Sequence, residues 1–185
     1  MNTPSSTLAV EKPSQFVMDL QAIRDRARRH VEEGAMTSSY QADRETVLHL
    51  LNDALATEWV CVLRYKAHYF VAQGIDAEAV KAEFKQHALE EEAHADRIAE
   101  RIVQLGGVPE LAPDGLAKRS HADYAVGPDL KTMIKEDLIA ERIAIESYTE
   151  MIRYLADRDP TTRRMMEEIL AQEEEHAEEL SSLLV

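Results

Sequence analysis

Apolar side chains recur at steps of three and four along four long stretches of the chain, the spacing of a single helix face. The first stripe reads Val47, Leu51, Ala54, Glu58, Val62, Tyr65, and the second Val80, Phe84, His87, Glu91, His94, Ile98, Ile102, Leu105. The third reads Leu130, Ile134, Leu138, Glu141, Ile145, Tyr148, Ile152, Leu155, and the fourth Met166, Ile169, Glu173, His176, Leu180, Leu183. Helices are therefore predicted from about Asp43 to Gln73, from Asp76 to Leu105, from after Pro128-Asp129 to about Ala156, and from Asp159-Pro160 nearly to Val185. Gly74 and Gly106-Gly107 read as stops, Asp76 and Asp159 as N-caps, and Pro160 as a proline in the first helical position. At ~1.5 Å per residue each helix is about 40 Å long. Short turns join the first helix to the second and the third to the fourth. The stretch from Val108 to Gly127, with Pro109, Pro113 and Gly115, reads as a long crossover. The pattern predicts an all-α, antiparallel four-helix bundle over residues 41–185.

Residues 1–40 form an N-terminal extension. Ser, Thr and Pro dominate up to about residue 13, which predicts disorder there. A short amphipathic helix is expected next, with Phe16, Leu20, Ile23, Ala27 and Val31 on one side and Gly34 as its stop. Arg24, Arg26, Arg28 and Arg29 lie on its polar side, and charge runs of this kind usually serve as solvated surface.

Each bundle stripe is interrupted near its middle by Glu, or by Glu and His. Glu91-x-x-His94 and Glu173-x-x-His176 put a carboxylate and an imidazole one turn apart on a helix face. A single Glu-x-x-His is weak in a chain this rich in Glu. Two copies on separate helices, alongside Glu58 and Glu141 on apolar stripes, are much more specific. Four carboxylates meeting in a core repel one another, and buried carboxylates are paired, protonated or metal-bound. Divalent cations resolve the conflict. Carboxylate with some imidazole suits iron or manganese, with zinc as a substitute. Glu90, Glu92, Glu174 and Glu175 lie off the stripes and are expected in solvent. His87 reads as a hydrogen-bonded core residue. Tyr65, two turns beyond Glu58, reads either as a core tyrosine with its hydroxyl bonded or as an electron donor to the site.

Composition narrows the classes. The 185 residues are 30% charged and 5% aromatic, with six Gly and six Pro, which suits one helical domain. A single cysteine, Cys61, excludes an internal disulfide framework and Cys-rich metal sites. The formal charge of −14 opposes general nucleic-acid binding and favours attraction of cations. The N-terminus has no secretory pattern and no apolar run approaches the ~20 residues that span a bilayer, so a cytoplasmic location is expected.

The bundle with its two Glu-x-x-His helices resembles the ferritin-like superfamily, and bacterioferritin in particular. Leu51-Asn52-Asp53-Ala54-Leu55-Ala56-Thr57-Glu58, His94-Ala95-Asp96-Arg97, Leu105-Gly106-Gly107-Val108-Pro109 and Met165-Met166-Glu167-Glu168-Ile169-Leu170 carry the likeness over roughly residues 43–184. The resemblance implies two iron ions per subunit held by Glu58, Glu91, His94, Glu141, Glu173 and His176, with Tyr65 beside them. It implies ferroxidase activity, in which Fe(II) is oxidised by O2 or H2O2 and stored as ferric mineral in a homo-oligomeric cage. Glu92 stands where bacterioferritin has its haem-ligating methionine, so no haem is expected. The chain ends after the fourth helix, where bacterioferritin has a fifth. In this it resembles the Dps-like group, which implies a 12-subunit cage, with 24 as the alternative. A DNA-protecting shell and a non-storage diiron or dimanganese peroxidase or oxygenase are the rival readings.

Overall fold

A computed structural model describes residues 16–75 and 77–185. The expected disorder up to residue 13 and the expected N-cap at Asp76 lie outside the described residues. Among the described residues there are six α-helices, one 3-10 turn and no strand. They are α1 (Leu20–Ala27), α2 (Arg44–Val71), α3 (Ala77–Gln104), α4 (Pro113–Arg119), α5 (Leu130–Leu155) and α6 (Pro160–Ser182), with the 3-10 turn at Val31–Glu33. The helices α2, α3, α5 and α6 form the four-helix bundle. α2 pairs with α3, α5 pairs with α6, and the two hairpins meet along α2/α5 and α3/α6.

The caps explain the boundaries. Asp43, Asp129 and Asp159 each accept a bond from the backbone N–H three residues on, at 2.8, 2.8 and 2.9 Å, satisfying donors the helix cannot. α3 ends in a Schellman motif. Gly106 takes φ +72°, while Gly107 N–H bonds Ile102 O at 2.9 Å and Gly106 N–H bonds Val103 O at 2.8 Å. A side chain at Gly107 would strike Leu48, 2.5 Å from the Cβ position. α2 stops at Val71, before the expected Gln73, and Gly74 serves the following turn.

The crossover holds a helix the sequence pattern does not announce. α4 starts on Pro113 and lays Leu116 against Ala56 and Val60 of α2. Asn52 accepts a bond from Glu110 N–H, Thr57 from His121 N–H, and Arg64 donates to Asp123 O. These three α2 side chains pin the crossover, so α2 is buried on more than one face. By length and composition α2 could cross a membrane, contrary to expectation, yet 61% of its apolar stretch is buried in the bundle.

Two apolar clusters fill the bundle ends. One includes Leu51, Leu55, Ile98, Ile102, Tyr148, Met151 and Ile169. The other includes Tyr65, Val80, Phe84, Ile134 and Leu180. The α5 stripe is rotated from expectation: Asp137, Ala144 and Met151 are buried, while Leu138, Ile145 and Ile152 are half-buried. The extension helix is shorter than expected, ending at Ala27 with Arg28 as its C-cap rather than running to Gly34. None of its residues is buried, and Phe16 and Val31 are exposed. Met36 and Tyr40 return the chain to the bundle, where the Tyr40 hydroxyl donates to Asp159 at 3.0 Å.

Candidate metal centre

Between the two apolar clusters lies one polar layer. Glu58 from α2, Glu91 and His94 from α3, Glu141 from α5, and Glu173 and His176 from α6 all reach it, each no more than 1% exposed. The structure thus brings together all six residues singled out from the sequence. Their donor atoms fall into two overlapping groups, Glu58/Glu91/His94/Glu173 and Glu91/Glu141/Glu173/His176. His94 Nδ1 lies 3.4 Å from Glu58, 3.5 Å from Glu91 Oε2 and 3.0 Å from Glu173 Oε1. His176 Nδ1 lies 3.4 Å from Glu91 Oε1, 3.6 Å from Glu173 Oε2 and 3.9 Å from Glu141. Glu91 and Glu173 therefore offer one oxygen to each side, and Glu58 and Glu141 serve one side each.

The outer atoms of these groups are bound. The Tyr148 hydroxyl donates to Glu58 Oε1, and the Tyr65 hydroxyl to Glu141 Oε1. His94 Nε2 donates to Gln172 and His176 Nε2 to Glu90, both at 2.9 Å. That arrangement turns each Nδ1 inward. The inner atoms have no hydrogen-bond partner: Glu58 Oε2, Glu91 Oε1, Glu141 Oε2, both Glu173 oxygens and both Nδ1 atoms. Orphaned buried polar atoms are rare and call for an ion or water. Carboxylate and imidazole donors in this number fit a pair of iron or manganese ions.

Electrostatics agree. Burial, then the Glu91 charge, push the Glu58 carboxyl up to about 8. Burial, then Glu91 and Glu173, raise Glu141 well above the carboxylate range. Burial alone would lower His176, but the Glu173 and Glu91 carboxylates more than reverse it and hold the imidazole at about 11. Without a metal the layer keeps protons to offset its negative charge, and binding a cation displaces them.

Several neighbours depart from expectation. Glu90 is half-buried against His176 rather than solvated, and Glu92 pairs with Lys66 at 3.4 Å. Gln172 and Tyr148 carry contacts that sequence reasoning gave them no part in. For Tyr148 a signal was available, since it follows Glu141 by the same seven residues that separate Tyr65 from Glu58. His87 is buried and bonded to the Tyr65 hydroxyl at 3.2 Å and to Glu179 at 2.9 Å. Burial pushes the Cys61 thiol up, and the sulfur packs against Ala122 and Ala140.

Comparison with known proteins agrees with the geometry. Residues 48–185 match the ferritin-like domain model. The chain is 33% identical to the DNA protection during starvation protein of Pyrococcus furiosus, over 77% of this chain and 78% of that protein. It is 26% identical to a bacterioferritin of Desulfovibrio desulfuricans, over 76% and 75% respectively. A bacterioferritin-related dodecameric thioferritin from Bacteroides fragilis superposes with a TM-score of 0.75 at 34% identity, covering 78% of this chain and 87% of that one. Helix order, polar layer and family match converge: the chain belongs to the ferritin-like family.

Proposed function

We propose that this protein is a ferroxidase that oxidises Fe(II) at the six-residue centre and stores the ferric product inside a shell of identical subunits. The observation that carries this is the set of unpartnered, fully buried donor atoms converging from four helices. Glu91 and Glu173 span both ions, Glu58 and His94 complete one position, and Glu141 and His176 complete the other. Tyr148 and Tyr65 fix the terminal carboxylates, so the donors are held before substrate arrives. Two Fe(II) each give up one electron, which together reduce O2 to H2O2 or H2O2 to water, with protons drawn from solvent. Tyr65, bonded to Glu141, is placed to supply one further electron, which with one from a third Fe(II) reduces the H2O2 to water, the tyrosine losing its phenol proton. Manganese or zinc fits the same donors, but zinc has no electron to give. The formal charge of −14 draws cations to the molecule. A 12-subunit shell follows the Bacteroides relative, with 24 as the alternative, and the location proposed is cytoplasmic. No haem is assigned, because Glu92 offers no thioether and is engaged with Lys66.

The test is rapid mixing of metal-free protein with Fe(II) and either oxidant, followed by native mass measurement of the iron-loaded particle. Glu91→Ala is expected to abolish the fast ferric absorbance while helix content is unchanged. Unaltered single-turnover oxidation in that variant would refute the assignment. A small dimer without mineral would favour a diiron or dimanganese peroxidase or oxygenase.

A second reading, a DNA-protecting shell, draws on the exposed Arg24, Arg26, Arg28 and Arg29 of the extension and on the Pyrococcus relative's name. Removing residues 1–39 should then abolish salt-sensitive DNA retardation, and retardation that survives the truncation excludes the extension as the contact.

A further inference from the structure

The metal centre has an approximate internal two-fold relation. Glu58 and Tyr65 on α2 correspond to Glu141 and Tyr148 on α5, and each tyrosine bonds the other helix's glutamate. Glu91 and His94 on α3 correspond to Glu173 and His176 on α6. The residue before each spanning glutamate holds the imidazole of the opposite helix, both at 2.9 Å. At this last pair the relation breaks. Glu90 holds His176, but Gln172 holds His94. The surroundings break it in the same direction. His87 stacks on His176 with ring centroids 4.1 Å apart, and its Nε2 lies 2.9 Å from Glu179 and 3.5 Å from Glu83. Beside His94 the corresponding positions are Ile169, Arg97 and Met165, and Arg97 is already paired with Glu168.

A carboxylate accepting the outer N–H of a ligating imidazole makes the inner nitrogen a stronger donor. A neutral amide does so less, and exchanging such partners changes metal affinity about 10–100-fold. Glu90, Glu83 and Glu179 also place negative charge near one position with no equivalent near the other. We propose that the two metal positions are inequivalent, and that a divalent cation fills the Glu141–His176 position before the Glu58–His94 position, with Glu90 and Gln172 as the positioning residues that set the order. The inference rests on the dimetal reading of the centre.

The test uses metal-free, full-length protein titrated with Co(II), read by calorimetry and visible absorption, with anomalous diffraction at one Co(II) per chain. Wild type is expected to bind in two steps about tenfold or more apart, with the first ion beside His176. Glu90→Gln should weaken the first step about 10–100-fold. Gln172→Glu should tighten the second, a gain that a misfolded variant cannot imitate. The double exchange should move the first ion to His94. Equal occupancy of both positions at one Co(II) per chain would overturn the proposal, as would a first step unchanged by Glu90→Gln. Either of those leaves the dimetal reading standing, whereas wild-type protein that binds no Co(II) at the six donors removes both.

Discussion

Glu173 gives the most direct test of the charge argument. Both of its carboxylate oxygens are buried without a hydrogen-bond partner. Oε1 lies 3.0 Å from His94 Nδ1 and Oε2 3.6 Å from His176 Nδ1, outside hydrogen-bond geometry, so in the metal-free protein the protonated imidazoles balance its charge. Replacing a whole buried charge pair by apolar side chains is often neutral or stabilising, but removing one partner leaves the other uncompensated and costs about 3–5 kcal/mol. Glu173→Met keeps the length and removes the charge. It should destabilise the metal-free protein by about 3 kcal/mol, a fall of roughly 6–12 °C in a chain of this size. With metal the gap should widen. Wild type gains about 2.7 kcal/mol per site at a metal concentration one hundred times Kd, roughly 5 kcal/mol for two sites, while the variant loses the group that spans both. The assay is thermal unfolding followed by circular dichroism, in chelator and in excess Co(II), at fixed scan rate and protein concentration. A Glu173→Met variant that melts at or above wild type in chelator would show that the imidazoles do not balance the carboxylate, and the account of the layer's protons would fail.

Ion uptake should release protons and tighten as pH rises. The Glu58 carboxyl, held at about 8, and the His176 imidazole, held at about 11, keep protons at neutral pH that a cation must displace; a Co(II) affinity that is flat between about pH 6 and 8 would contradict this. Tyr65→Phe and Tyr148→Phe each strip a terminal carboxylate of its outer donor and should weaken Co(II) binding about 10–100-fold at the Glu141 and Glu58 positions respectively. Unchanged titrations in both would remove the positioning role. Asp137→Ala leaves Arg64 buried without the carboxylate 2.8 Å away and should lower stability by about 3–5 kcal/mol without altering metal stoichiometry. Loss of metal binding in folded Asp137→Ala protein would show that this pair serves the centre rather than the fold.

The bundle was legible because its signals are local. Asp43, Asp129 and Asp159 announce helix starts, Gly106-Gly107 a stop, and the stripes repeat within each helix. Glu58, Glu91, His94, Glu141, Glu173 and His176 were legible for the same reason, since each interrupts a stripe that must face the core. What escaped depends on how helices are rotated and staggered against one another, which periodicity within one helix does not encode. Glu90 and Gln172 lie off their stripes, yet each reaches across the α3/α6 interface to the opposite imidazole. Arg64 and Asp137 carry no signal in the stripes, yet they pair across the bundle and each is no more than 1% exposed, with Arg64 also bonded to Asp123 O in the crossover. On α5, Asp137 lies inward where Leu138 was expected and is bonded to Arg64 and His68. α4 spans only seven residues, too few for a periodic signal, and Pro113 reads equally well as a breaker or a helix start.

The location of the polar layer explains how the fold tolerates it. Clusters around Ile102 and Met166 at one end, and Phe84 and Leu180 at the other, are fully or almost fully buried. Burying each such side chain contributes about 1.5–3 kcal/mol. Summed over both ends, this exceeds the roughly 1–3 kcal/mol for each orphaned donor between them. The helices are thus clamped above and below the carboxylates, and repulsion in the layer cannot be relieved by splaying them apart. It can be relieved only by taking up charge, as protons in the metal-free protein and as cations when they are available. The same clamping keeps the backbone placement of the two halves alike, so differences between the two metal positions must come from side chains that touch the ligands without touching the metal. Glu90 and Gln172 are such a pair. One exchange of carboxylate for amide, in a frame held fixed by packing elsewhere, is enough to make an approximately symmetric centre fill in a definite order.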